Sequence, residues 1–240
     1  MSGQLVVVTG TGTGIGKTHV TAALLLRWAQ VLESAGVERP QVAGLKPVES
    51  GVVPGAVTDA ATLEQASTFH VKRFPPPYML ARPVSPHLAA AQEGRIIDLQ
   101  LIRRYVAEVR ELTDAVAVEL PGGLFSPLGP DLDNAAVARE LAPDALLLVA
   151  PDRLGVLHDV AATTRAAAAC GLSITGILLV APEHADASTG TNAAELAVVS
   201  AIPVLASVPR ADVAALASRA DLATLLTELV RKRPPLRRRP

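Results

Sequence analysis

Residues 9–18 read Thr9-Gly10-Thr11-Gly12-Thr13-Gly14-Ile15-Gly16-Lys17-Thr18. The run leaves a β-branched stretch at 4–9 (QLVVVT) and opens a helical one at 17–34 (KTHVTAALLLRWAQVLES), which Gly36 stops. Glycines permit positive φ, so successive backbone N–H groups can turn inward around phosphate oxygens. The helix that follows adds the positive end of its dipole. In this setting Lys17 is placed to reach β- and γ-phosphates, and the Thr18 hydroxyl to sit on Mg²⁺. Five residues separate Gly10 from Gly16, one more than the usual P-loop spacing. A dinucleotide fingerprint fails by counting, because the third glycine would fall on Ile15 or on Lys17.

Further along the chain the pattern repeats strand and helix. Strands are expected at 41–45, 115–120, 145–150, 174–180 and 204–208. Helices are expected at 59–67, 98–112 (with Asp98 as N-cap), 134–141, 159–169, 192–200 and 214–230, and a proline-rich loop at 74–86. Strands joined by helical crossovers mean one α/β domain over residues 1–230, a mostly parallel sheet flanked by helices, of P-loop NTPase type. Ligands of such sheets bind outside the carboxyl ends of the strands. The segments 9–18, 46–51, 119–123, 150–155 and 180–184 therefore share one rim.

Composition supports that class and excludes others. Half of the 240 residues are apolar and only 2% are aromatic, so the core is built of Ala, Val and Leu. One cysteine, Cys170, leaves no intrachain disulfide, and its place beside Gly171 reads as a small buried apolar residue. No charge-free run of membrane-spanning length and no cleavable leader is seen, which points to a cytoplasmic protein without a membrane partner. The net charge of −1 hides two unlike parts. Six of the 22 basic residues lie in 231–240, and the body without them holds 16 basic against 23 acidic residues. A body at −7 is not a nucleic-acid surface, and the proline- and arginine-rich tail reads as a solvated, disordered end.

Phosphoryl transfer also needs carboxylates to hold a divalent ion and positive charge for the moving group. Glu119, at the end of the apolar strand AVAVEL and before Pro121-Gly122-Gly123, stands where a Walker-B-like metal ligand belongs. Asp59, taken alone, reads as the N-cap of its helix. Lys46 ends the second strand at the same rim. Only four of the 22 basic residues are lysines (Lys17, Lys46, Lys72 and Lys232), so a lysine here hints that a compact ammonium is wanted.

Taken together, TGTGTGIGKT (9–18), LKPVESG (45–51), RPVSPHLAAAQEG (82–94), VELPGG (118–123) and the Leu154-Gly155 pair resemble the dethiobiotin synthetases. The resemblance covers roughly the first two thirds of the chain. It implies an ATP- and Mg²⁺-dependent ligase that closes the ureido ring of dethiobiotin from 7,8-diaminononanoate and CO₂. The route runs through a carbamate and a carbamic–phosphoric anhydride, and releases ADP and phosphate. Carried over by position, Gly12, Thr13, Gly14, Ile15, Gly16, Lys17 and Thr18 bind the nucleotide, and Thr18, Asp59 and Glu119 hold the metal. Thr13, Lys46, Ser50 and Gly122 meet the diamino acid or its carbamate, with Lys46, Lys17 and Thr13 as catalytic residues. The resemblance also implies a homodimer with substrate near the subunit interface.

Departures from the family pattern are specific. Gly12 stands where aspartate is common, and Leu120-Pro121 replaces Gly-Ala, with Pro121 lacking an N–H. His158 stands where some members carry an asparagine for the substrate carboxylate. No asparagine for adenine occurs near 180–182, which predicts weak discrimination among nucleoside triphosphates. His87, in Ser85-Pro86-His87, reads as a loop-fixing hydrogen bonder, and His19, His70 and His184 take no role. Two alternatives stay open: a related ligase or carboxylase acting on another acid, and a partitioning ATPase. The latter normally carries a second lysine six residues before the P-loop lysine, where this chain has Thr11.

Overall fold

The computed structural model describes residues 2–231. The basic tail expected to be disordered therefore lies outside the described residues, apart from Arg231, which ends the last helix. Six parallel strands form the main sheet: β1 (Gln4–Gly10), β2 (Val42–Leu45), β5 (Ala115–Glu119), β6 (Ala145–Pro151), β7 (Gly176–Val180) and β8 (Val204–Val208). Their order is β2-β5-β1-β6-β7-β8, so the direction of winding reverses at β1, where such sheets bind ligands. The expected fold class holds.

Alternation along the strands sorts side chains onto two cores. Val6, Val8, Val42, Ala115 and Ala117 face one side, under α1 (Lys17–Ser34), α2 (Asp59–Gln65), α8 (Val213–Ala217) and α9 (Ala220–Arg231). Leu5, Val7, Ala43, Leu45, Val116 and Val118 face the other, toward α3 (Pro86–Gln92), α4 (Leu99–Leu112), α5 (Asn134–Leu141), α6 (Val156–Ala169) and α7 (Asn192–Val199). Leu24, Leu25 and Trp28 of α1 are almost wholly buried, each worth about 2 kcal/mol of burial. No helix among the described residues is long and apolar enough to cross a membrane.

Several elements differ from the sequence expectation. The proline-rich stretch hides β4 (Tyr78–Leu80), which pairs in parallel with β3 (Val48–Ser50) as a separate two-stranded sheet. Three-residue strands are too short to show an alternation. The helix expected at 214–230 is two helices, broken at Ser218-Arg219, where Asp221 accepts from the Leu222 N–H and from Nε and Nη2 of Arg219. Asp98 does cap α4, accepting from Gln100 N at 2.8 Å. Cys170 is exposed rather than buried, because it caps the end of α6, where the chain turns out of the helix.

Candidate active site

Register and parity build the site. Leu45 of β2 lies beside Val118 of β5, so the residues that follow, Lys46 and Glu119, leave their strands side by side. Glu119 in turn pairs with Val8, two residues before the glycine-rich loop begins. By alternation Glu119 shares the side of Ala115 and Ala117, and Lys46 that of Val42. Both therefore turn toward α1 and α2.

Four side chains converge there. Lys46 Nζ donates to Glu119 Oε1 at 2.6 Å and also to Asp59 Oδ2. Thr18 Oγ1, in the first turn of α1, donates to the same Glu119 oxygen at 2.8 Å. Lys17 Nζ donates to the Gly12 carbonyl at 2.7 Å, folding back over its own loop. Burial, with repulsion from the Lys46 ammonium, pulls Lys17 down to about 8, and the Glu119 and Asp59 carboxylates only partly oppose it. Burial pulls on Lys46 too, but the Glu119 and Asp59 carboxylates outweigh it and hold that ammonium above its ordinary range.

The loop itself is built to receive an anion. Gly16 sits at φ 86 as the N-cap of α1, and no side chain caps the helix. A Cβ on Gly16 would lie 3.0 Å from Val180 Cγ1, so the loop also packs tightly on the end of β7. A cleft of about 790 Å³ runs over it, lined by Thr13 to Thr18 and by Lys46, Ser50, Asp59, Glu119 and Gly122. Every expected site residue except Gly12 lines this cleft, and Gly12 touches it through its bond to Lys17. A second cavity of about 740 Å³ lies across the loop, floored by Val180, Ala181, Pro182, Val208 and Pro209. His158 is exposed on α6 and lines neither cavity.

The donor set suits Mg²⁺. Glu119 is fully buried, and its Oε2 has no hydrogen-bond partner. A buried carboxylate oxygen left unpaired beside a hydroxyl and a second carboxylate is a hard-oxygen set, short of a complete cage. Mg²⁺ favours such sites, keeping waters and substrate phosphates as further ligands.

Sequence reasoning misassigned one cap and missed three supports. Asp59 is not the N-cap of α2. Thr58 is, accepting from Ala61 N at 3.0 Å, which leaves the Asp59 carboxylate free to face Lys46. Glu49 accepts the N–H groups of both Asp59 and Ala60. Buried Asn134 donates to the carbonyls of Pro121 and Gly123, at 2.5 and 2.8 Å, and the Ser126 hydroxyl accepts from Gly123 N at 2.9 Å. Together these fix the turn after β5. The signals for Glu49 and Asn134 were polar residues in otherwise apolar surroundings, which a single sequence does not distinguish from solvated ones. His87 hydrogen-bonds Ser85 through Nδ1 at 3.1 Å, as a loop-fixing residue should.

Comparison with known proteins gives the chain its relatives. A protein-family profile described as an AAA domain matches residues 4–216. The chain is 39% identical over 217 residues to an ATP-dependent dethiobiotin synthetase BioD of Rhodopirellula baltica, spanning 85% of this chain and 84% of that one. It is 38% identical over 227 residues to the ATP-dependent dethiobiotin synthetase BioD of Ralstonia nicotianae, spanning 91% and 96%. Among solved structures, the MinC:MinD cell division protein complex of Aquifex aeolicus superposes with a TM-score of 0.55 at 14% identity, over 98% of this chain and 99% of that one. That last likeness concerns the fold alone.

Proposed function

The chain belongs to the ATP-dependent dethiobiotin synthetase family, and from that premise we propose how its cleft closes the ureido ring on 7,8-diaminononanoate. The enzyme is an ATP-dependent ligase of biotin biosynthesis. One substrate amine adds to CO₂ and loses a proton, giving a carbamate. A carbamate oxygen attacks the γ-phosphorus and ADP leaves. The second amine then attacks the carbamoyl carbon, the ring closes and phosphate departs.

Two anions must meet in this sequence, so the work is electrostatic rather than nucleophilic. The N–H groups of residues 12–18 and the Lys17 ammonium cradle the triphosphate. Thr18, Asp59 and Glu119 would hold Mg²⁺, which would supply positive charge to offset that of the triphosphate. Lys46 moves its ammonium between the carboxylates and the carbamate–phosphoryl junction. Thr13, Ser50 and the backbone at Gly122 orient the diamino acid, and the nucleoside lies in the second cavity. The meeting of Lys46, Thr18, Asp59 and Glu119 beside Lys17 carries this reading.

We further propose that the enzyme works in the cytoplasm, where ATP is supplied, and as a homodimer. The dimer is supported by exposed apolar side chains, Val84 lining the cleft and Leu88 and Phe125 close in sequence to residues that line it. Incubation with 7,8-diaminononanoate, bicarbonate, Mg²⁺ and ATP should yield dethiobiotin by mass spectrometry, with one phosphate released per product. Absence of product from folded protein would overturn the reading. So would a Lys46→Ala variant that turns over like wild type.

A further inference from the structure

The Asp59 carboxylate is far less enclosed than its partner. Its side chain is 45% exposed, while that of Glu119 is fully buried. It rides on α2, a seven-residue helix with one buried side chain, Leu63. Such a helix has little packing to fix its start, so something else must hold the first turn.

Glu49 does so from the neighbouring sheet. It lies in the middle of β3 and is only 8% exposed, unusual for a glutamate. Its Oε1 accepts from Asp59 N at 2.7 Å and its Oε2 from Ala60 N at 2.9 Å. With Thr58 taking the Ala61 N–H, the first three donors of α2 are all satisfied by side chains. Both bonds are charge-assisted, and the carboxylate lies at the favourable end of the helix dipole. An aspartate at the first helical position would ordinarily fold back on its own N–H groups. Here those groups are taken, and the Asp59 side chain is left to the cleft.

We propose that Glu49 is a positioning residue that acts through Asp59: it moors the first turn of α2 to β3, and so sets where the Asp59 carboxylate meets the metal. The next residue on β3 is Ser50, which lines the cleft, so the mooring ties the diamine-facing strand to the metal side of the site. This inference rests on the reading of Asp59 as a metal ligand.

The test is Mg²⁺ affinity, measured by calorimetry on the full chain saturated with a non-hydrolysable ATP analogue. Glu49→Asp keeps the charge and shortens the reach by one methylene, while Glu49→Gln keeps the length and removes the charge. Each should weaken Mg²⁺ binding by about tenfold, the usual scale for outer-sphere partners of metal ligands. Binding of the analogue without Mg²⁺ should not change. In an Asp59→Asn background, Glu49→Asp should cause no further loss, because its effect passes through Asp59. Full Mg²⁺ affinity in Glu49→Asp, with Asp59→Asn weakened, would overturn the inference alone. Unchanged affinity in Asp59→Asn would overturn the reading of Asp59 as well. If both Glu49 variants fail to fold, as judged by circular dichroism, Glu49 is a structural residue and the inference falls.

Discussion

Glu119 is fully buried, with one oxygen shared by Lys46 and Thr18 and the other unpaired. Removing the cation from such a pair leaves a buried charge without compensation. Lys46→Met should therefore lower stability of the metal-free protein by about 3 kcal/mol, read as a lower urea midpoint. Mg²⁺ should recover part of that loss, and turnover should fall by about a thousandfold or more, since an ammonium at the moving phosphoryl group is gone. A urea midpoint equal to wild type would contradict the pairing.

Lys17 carries the opposite sign. Its folded pKa of about 8 lies below the ordinary 10.5, so between those values the unfolded chain holds a proton the folded one has released. Stability from this group thus rises from pH 8 to 10.5, and below pH 8 its burial costs the ligand-free protein about 3 kcal/mol. Triphosphate favours the ammonium, so nucleotide binding above pH 8 takes up a proton. We expect the calorimetric enthalpy of ATP binding at pH 9 to depend on the buffer, and affinity to fall by up to about tenfold per pH unit above 8. Lys17→Met should abolish the buffer dependence; if it persists, another group titrates. Lys17, Thr18 and Glu119 were legible from spacing, because a P-loop and a strand-end acid are local patterns. Glu49 was not, since its partners lie ten and eleven residues on, across a loop without a period.

Elements bring these residues together, and β2 shows how little room they leave. A Cβ on Gly44 would fall 2.4 Å from Leu25 Cδ1 and 3.0 Å from Leu63 Cβ, so α1 and α2 both rest on a bare backbone. Gly44→Ala should cost about 1–3 kcal/mol and displace α2, with Asp59 on it. The melting temperature should fall, and Mg²⁺ affinity should suffer more than nucleotide affinity. An unchanged melt would mean the contact is looser than the geometry states. The loops after β7 and β8 make the second prediction at this scale. Ala181, Pro182 and Pro209 offer apolar faces and backbone groups, and the polar side chains His19, Arg153, Glu183 and Arg210 also line the cavity, but no side-chain amide does. Without an amide to pair the donor and acceptor edge of one base, the site lacks the matched hydrogen bonds that give large discrimination. Steady-state kcat/KM for CTP and GTP should accordingly lie within about tenfold of ATP, and a thousandfold ATP preference would refute it. The long strands and helices of this architecture were legible because each has a period to read. β3, β4 and the break at Ser218 were not, being decided by tertiary pairing and by one capping aspartate.

At the scale of the molecule, the sheet explains why one rim holds the chemistry, but it does not close the cleft. Val84 lines the cleft, Leu88 sits on the helix whose first residue lines it, and Phe125 precedes the lining residue Ser126; these three side chains are 36–41% exposed. Exposed apolar side chains near a polar site are costly to leave in water, and a second copy of the chain packed over them would cover them. The expected particle is then twice the 24.8 kDa chain in sedimentation velocity at micromolar concentration. Its melting temperature should rise with protein concentration, because association stabilises only the folded state. A Leu88→Asp/Phe125→Asp variant should sediment as a monomer with its far-UV circular dichroism intact. Neither residue lines the cleft, so a fall in its turnover would show that the site needs the second subunit to shield it from water. Wild type sedimenting at 24.8 kDa with full activity would remove the dimer from the mechanism, and the cleft would then have to exclude water with its own loops.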